Sequence, residues 1–147
     1  MASKREFHIF FSYRSKDEAR VDEFRDMLIE HYKQAGTTIH VWMAKYDMAG
    51  SPAEEMSKNL KKSDIVILFL SQDYEKSQYC MAEANMAYQR NKPLVVLLMQ
   101  QNYDPTENDE LFTIISRSLR HRAYDKTSLV AEKDKIFMEV DKILAKY

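Results

Sequence analysis

Glycine is nearly absent from this chain, and that scarcity excludes two nucleotide-binding devices. The only glycines among 147 residues are Gly36 and Gly50. A P-loop and a GxGxxG dinucleotide turn each need several glycines in one turn, so neither is built here and any nucleotide must be held another way. Cysteine is scarcer still. Cys80 stands alone, so no intrachain disulfide forms, which fits a reducing compartment and predicts a cytoplasmic location. The four histidines, His8, His31, His40 and His121, show no metal-ligand spacing with Cys80, and no metal site is expected. Neither sign of charge dominates. Lys and Arg number 22 against 23 for Asp and Glu, which gives no electrostatic case for nucleic acid or an anionic membrane as partner. No run reaches the about 18 apolar residues of a membrane span, and the opening Met-Ala-Ser-Lys-Arg-Glu is not followed by a signal-peptide pattern.

What is present reads as one globular domain over residues 1–147. Hydrophobic residues at 45% and charged residues at 31% are enough to bury a core and solvate its surface. Apolar β-type runs alternate with helical patterns, which argues for βαβ units and a mostly parallel sheet. The first strand is expected over Phe7–Tyr13. A helix over Lys16–Ala35 follows, since Val21, Phe24, Leu28 and Tyr32 share one face. Gly36 is its expected stop. The second strand is expected over Thr38–Met43, followed by a polar loop, Ala44–Gly50. Ser51, Pro52 and Glu54 then spell a helix start with a capping box.

The third and fourth runs, Ile65–Leu70 and Leu94–Met99, are apolar at every position, the pattern of strands buried on both faces. Between them lies a helix over Gln78–Arg90 with Ser77 as N-cap. A short helix over Glu110–Ser116, a weak strand near Arg122–Tyr124 and a helix over Val130–Ala145 complete the pattern. This succession predicts an α/β fold of flavodoxin-like type: a five-stranded parallel sheet of order 2-1-3-4-5 with helices on both faces.

Sheets of this order bind ligands beyond the carboxyl ends of the strands, where the strand order reverses. Here that point lies between the first and third strands. It selects Ser12, Tyr13 and Arg14, which close the first strand, and the stretch from Ser71 to Glu83, which leaves the third. Arg14 is suited to grip phosphate as a forked donor and Tyr13 to stack on a flat base. An exposed arginine and a packing tyrosine are the plain alternative. A phosphoreceiver site is excluded, because no acidic pair closes the first strand and Asp64 opens the third instead of closing it. Cys80 lacks a neighbouring base in sequence and reads as a structural cysteine. Tyr79 and Glu83 lie four apart and share a helix face. A lone helix glutamate is ordinarily a solvated residue, so spacing alone gives it no chemistry.

Three segments then point to a family. FHIFFSYRSKDE resembles the first box of the Toll/interleukin-1 receptor (TIR) domains, an apolar strand ending in Ser-Tyr. VWMAKYDMAGSP stands where that family has its second-strand end and following loop. LSQDYEKSQYCMAE resembles the family's S-x-x-Y-x-x-S-x-W-C-x-x-E segment, with Ser71, Tyr74, Ser77, Cys80 and Glu83 matching. The resemblance spans about residues 5–145. Three features depart from the pattern. Tyr79 replaces the family tryptophan, Met43 replaces a common aspartate, and the loop lacks the Arg-Asp…Pro-Gly signature of receptor and adaptor members.

The resemblance implies one of two activities. The first is cleavage of NAD⁺ at the nicotinamide–ribose bond, giving ADP-ribose or a cyclic product, in immune or cell-death signalling. Glu83 would then be catalytic, with Ser12, Tyr13, Arg14, Trp42, Ser71, Tyr74 and Tyr79 around NAD⁺ as substrate and no further cofactor. The second is non-enzymatic signalling through TIR–TIR contacts. Either activity implies homo-oligomers joined through the loop carrying Asp47, Met48, Gly50, Ser51 and Pro52.

Overall fold

The computed structural model describes residues 6–43 and 52–147. Five parallel strands form one sheet, in the order β2-β1-β3-β4-β5. They are β1 (Glu6–Ser12), β2 (Thr38–Trp42), β3 (Ile65–Leu70), β4 (Leu94–Leu98) and β5 (Arg120–Arg122). Among the described residues the α-helices are α1 (Glu18–Gln34), α2 (Pro52–Lys62), α3 (Gln72–Glu75), α4 (Gln78–Gln89), α5 (Asp109–Ile115) and α6 (Lys126–Leu144).

Strand alternation explains how the layers close. Successive strand residues point to opposite faces. Ile65, Ile67 and Phe69 of β3 join Phe7, Ile9 and Phe11 of β1 in a core with Phe24 and Leu28 of α1 and Ile136 and Val140 of α6. Val66, Leu68 and Leu70 join Phe10 in a second core with Leu60 of α2, Ala84 of α4 and Leu111 of α5. Every residue of β3 is buried, as its unbroken apolar run requires.

Several boundaries differ from the sequence reading, each for a local reason. A 3₁₀ turn at Ser15–Asp17 delays α1 to Glu18. Strand β1 pairs with β3 only as far as Ser12, which releases Tyr13 from the ladder. An unanticipated helical turn, α3, forms because the Ser71 hydroxyl accepts the amide of Tyr74. Strand β5 lies two residues earlier than Arg122–Tyr124. It is a short edge in which only His121 is buried, so its charged flanks hide the strand pattern. Helix α6 begins at Lys126, ahead of Val130, because Asp125 and Ser128 cap each other reciprocally. The expected cap Ser51, with Asp47, Met48 and Gly50, lies outside the described residues.

Candidate active site

The first strand delivers its polar end to the switch point. Ser12, the last residue of β1, shares the parity of Phe10 and therefore faces α4. Beyond it come Tyr13 and then Arg14, which is extended and leads into the 3₁₀ turn. Opposite, the Ser77 hydroxyl accepts the amide of Cys80 and starts α4. One turn into that helix, Cys80, Glu83, Ala84 and Ala87 form its buried stripe, and Glu83 is only 3% exposed.

These two ends border an open cleft of about 370 Å³, lined among others by Tyr13, Arg14, Glu18, Tyr79, Cys80 and Glu83. That size is within the range of small-molecule sites, about 300–1,000 Å³. Glu83 forms part of the cleft wall, and the Ser12 hydroxyl donates to its Oε1 at 2.7 Å. Burial pushes the Glu83 carboxyl up to about 8, opposed by the Ser12 hydrogen bond. Tyr79, partly buried one turn earlier, has its phenol pushed up to about 12 by burial and then by the charge of Glu83. Burial likewise pushes the Cys80 thiol up to about 11, and its Sγ donates to the carbonyl of Tyr13 at 3.5 Å. This thiol stays protonated at neutral pH and is structural.

The structure divides the remaining candidates. Tyr13, Arg14, Tyr79 and Glu83 meet at the cleft. Ser12 and Tyr74 are fully buried behind Glu83, with Ser12 Oγ and Tyr74 Oη 2.6 Å apart. Ser71 is buried as the cap of α3. Trp42 stacks on Phe10 with ring centroids 4.6 Å apart, in the core beneath α2 and away from this cleft. Pro52 opens α2. Two residues escaped the sequence reading. Glu18 reaches the cleft from the first turn of α1. Asp73 receives the Arg14 Nε–H at 2.8 Å, and that bond holds the Asp73 carboxyl below its ordinary value. The signal for Asp73 was its place in the segment leaving the third strand. Among the described residues, no three His, Cys, Asp or Glu side chains gather as a metal-binding group.

A family model described as the TIR domain matches residues 9–132. This chain belongs to the TIR domain family. As a TIR domain it is similar in fold to several solved structures. The TIR domain of the Toll-related receptor TRR-2 from Hydra magnipapillata aligns with a TM-score of 0.66 at 13% identity, covering 95% of this chain and 98% of that one. The TIR domains of the activated Roq1 resistosome, which recognises the pathogen effector XopQ, align at 0.53 and 20% identity, covering 95% and 82%. The CMP N-glycosidase BcmB of Clostridium botulinum aligns at 0.59 and 17% identity, covering 86% and 97%. No curated protein matches the chain in sequence. Among the described residues, no helix of this TIR domain is long and apolar enough to cross a membrane.

Proposed function

We propose that this TIR domain cleaves NAD⁺ between nicotinamide and ribose, in the cytoplasm, as part of immune or cell-death signalling. The observation that carries this reading is a buried carboxyl, Glu83, held by Ser12 in the wall of an open cleft at the switch point. Nicotinamide leaves a pyridinium and departs neutral, so no general acid is needed for the leaving group. One half of the two-carboxylate apparatus of ordinary glycosidases becomes unnecessary. What remains is stabilising the oxocarbenium-like charge on the ribose, which a fixed carboxylate in a water-poor wall does strongly. Water then adds to the ribose carbon, giving ADP-ribose and a proton, or an adenine nitrogen adds to it and closes a cyclic product. An N-glycosidase on the same fold, BcmB, is compatible with this chemistry, although at 17% identity the likeness is one of fold alone. Incubating concentrated protein with NAD⁺ and measuring free nicotinamide tests the reading. No release at any concentration would remove it.

Arg14 supplies the second test. Its guanidinium lies at the cleft with one N–H committed to Asp73, and that bond raises its affinity for a proton, so it stays charged. Further N–H groups of its fork remain to meet a phosphate. Arg14→Ala is expected to raise the KM for NAD⁺ roughly tenfold with a smaller change in kcat, the scale of one charge-assisted hydrogen bond. An unchanged KM would place the phosphates elsewhere.

A non-enzymatic assembly module is the second reading. It is favoured by Met43, a fully buried apolar residue where many family members have an aspartate, and by Tyr79 in place of tryptophan. Both readings share a proposed self-association through Asp47, Met48, Gly50, Ser51 and Pro52. Replacing Met48 and Pro52 together is expected to weaken any concentration dependence of nicotinamide release. Unchanged oligomer size and unchanged activity on light scattering and assay would count against it.

A further inference from the structure

We propose that Ser12 and Tyr74 are positioning residues that form a reversible hydroxyl relay behind Glu83, whose direction follows the charge on that carboxyl. The role in catalysis rests on the NAD⁺ reading above. The relay itself rests on geometry. Three elements converge on it: Ser12 ends β1, Tyr74 lies in α3, and Glu83 and Cys80 belong to α4. Four oxygens stand in a row. Glu83 Oε1 is 2.7 Å from Ser12 Oγ, Ser12 Oγ is 2.6 Å from Tyr74 Oη, and Tyr74 Oη is 3.0 Å from the Cys80 carbonyl oxygen. Ser12 and Tyr74 are fully buried, so bulk water does not substitute for a missing partner.

The row has three contacts, and its two hydroxyls supply two protons. When Glu83 is ionised it can only accept. Ser12 must then donate to Glu83, and Tyr74 turns its proton to Ser12, because two hydroxyl oxygens 2.6 Å apart with no proton between them repel more strongly than the phenol and the carbonyl at 3.0 Å. The contact with the Cys80 carbonyl is left without a proton, at small cost, because that carbonyl also serves as an acceptor within the helix. When Glu83 is protonated, a third proton enters the row. Glu83 donates to Ser12, Ser12 to Tyr74, and Tyr74 to the Cys80 carbonyl, so all three contacts are filled. Each hydroxyl keeps its own proton and turns about its C–O bond. The proton Glu83 gains or loses passes to solvent through the cleft. Both charge states are therefore satisfied with the same heavy-atom positions, and the carboxyl changes charge without leaving its place beside the ribose.

The surroundings allow both states. Burial disfavours the ionised form and the Ser12 donor favours it. The other ionisable groups around the row are Tyr79 and Cys80 on α4, Tyr74 on α3, Arg14 after β1 and Glu18 on α1, while Asp73 acts through its charge on Cys80 and Tyr103 on Tyr74. Arg14 is tied to Asp73, so no cation is committed to Glu83 among the described hydrogen bonds and ion pairs.

The test needs no NAD⁺. Carbon-13 labels in the Glu83 carboxyl and the Tyr74 ring Cζ of the folded protein are followed through a pH titration, with assignments from Glu83→Gln and Tyr74→Phe. The expected result is that Tyr74 Cζ shifts with the same midpoint as Glu83. In Ser12→Ala, which cuts the row, the Glu83 midpoint should rise by about one pH unit, a tenfold change in proton affinity, from the loss of the donor to its charged form. Tyr74 should then respond only to the direct charge of Glu83, with a shift several-fold smaller than in wild type. A Tyr74 signal that stays flat through the Glu83 transition in wild type would overturn the relay, and that measurement decides even if a variant fails to fold. So would a Tyr74 shift of undiminished size through the Glu83 transition in Ser12→Ala. A coupled titration without nicotinamide release by the same protein would support the relay and overturn the catalytic reading.

Discussion

Glu83→Gln is expected to lower nicotinamide release by about a hundredfold or more while the fold persists. Glutamine keeps the size and the contact with Ser12 but carries no negative charge. If Glu83 stabilises a developing cation on the ribose, its replacement removes a preorganised electrostatic group, and losses of about 10²–10³ in rate are the usual scale. The burial of Glu83 strengthens the expectation, because a charge in a low-dielectric wall acts on its neighbour with little screening. Tyr79→Ala should reduce both turnover and stability, since the ring lies one turn before the carboxyl on the same face and lines the same cleft. The decisive comparison is nicotinamide release by wild type and Glu83→Gln at matched folding, checked by circular dichroism. Equal turnover would remove the catalytic assignment. Absence of turnover in both, at high concentration and with crowding, would favour the assembly module.

The strand order was legible because the buried strands announce themselves. Ile65–Leu70 and Leu94–Leu98 are apolar at consecutive positions, and only a two-faced sheet buries such runs as strands. Helix α1 was equally plain, with Val21, Phe24, Leu28 and Tyr32 all buried along one face. The misplaced elements were those held by side-chain caps or by edge position. Helix α3 depends on one serine hydroxyl, and four residues are too few to show a period. Strand β5 has charge on both sides of a single buried histidine, whose Nε2 lies 2.9 Å from Glu139 on α6. Its identity is decided by pairing with β4, which no local pattern reveals.

The place of the cleft was legible, and its electrostatics were not. Strand order alone brings Tyr13, Arg14, Tyr79 and Glu83 to one region, where the order reverses. Strand order does not separate residues that line the cleft from those packed behind it. Ser12 and Tyr74 are polar and close to the switch point, but their hydroxyls are spent on each other and on Glu83. The depth of Glu83 was nevertheless written in its neighbours. Cys80, Ala84 and Ala87 recur at helical spacing, and Glu83 lies on their stripe. A carboxyl at the heart of an apolar stripe is a stronger signal than its distance from Tyr79, because that burial is what moves its proton affinity.

That burial makes a second large prediction, in stability. In the folded protein Glu83 keeps its proton until about pH 8, against an ordinary value of 4.5. Between those values the native state holds a proton that the unfolded chain has released. The sign follows from proton linkage: where the native state binds more protons, stability falls as pH rises. The contribution of the neutral carboxyl is therefore fully present below about pH 4.5 and is lost progressively as pH rises toward about 8. Glu83→Gln has no such proton to lose. Its stability relative to wild type should increase by about 3 kcal/mol between pH 5 and pH 7.5, at about 1.4 kcal/mol per unit, and level off above the folded value. Urea unfolding of both proteins across that range measures the difference. A gap independent of pH would mean that Glu83 ionises at its ordinary value, and the buried neutral carboxyl would have to be abandoned. If the gap opens as expected, nicotinamide release under kcat/KM conditions should rise about tenfold per pH unit below pH 8, because only the ionised carboxyl can stabilise the ribose cation. The same proton that makes the fold more stable in mild acid would then be the one that holds the enzyme inactive there.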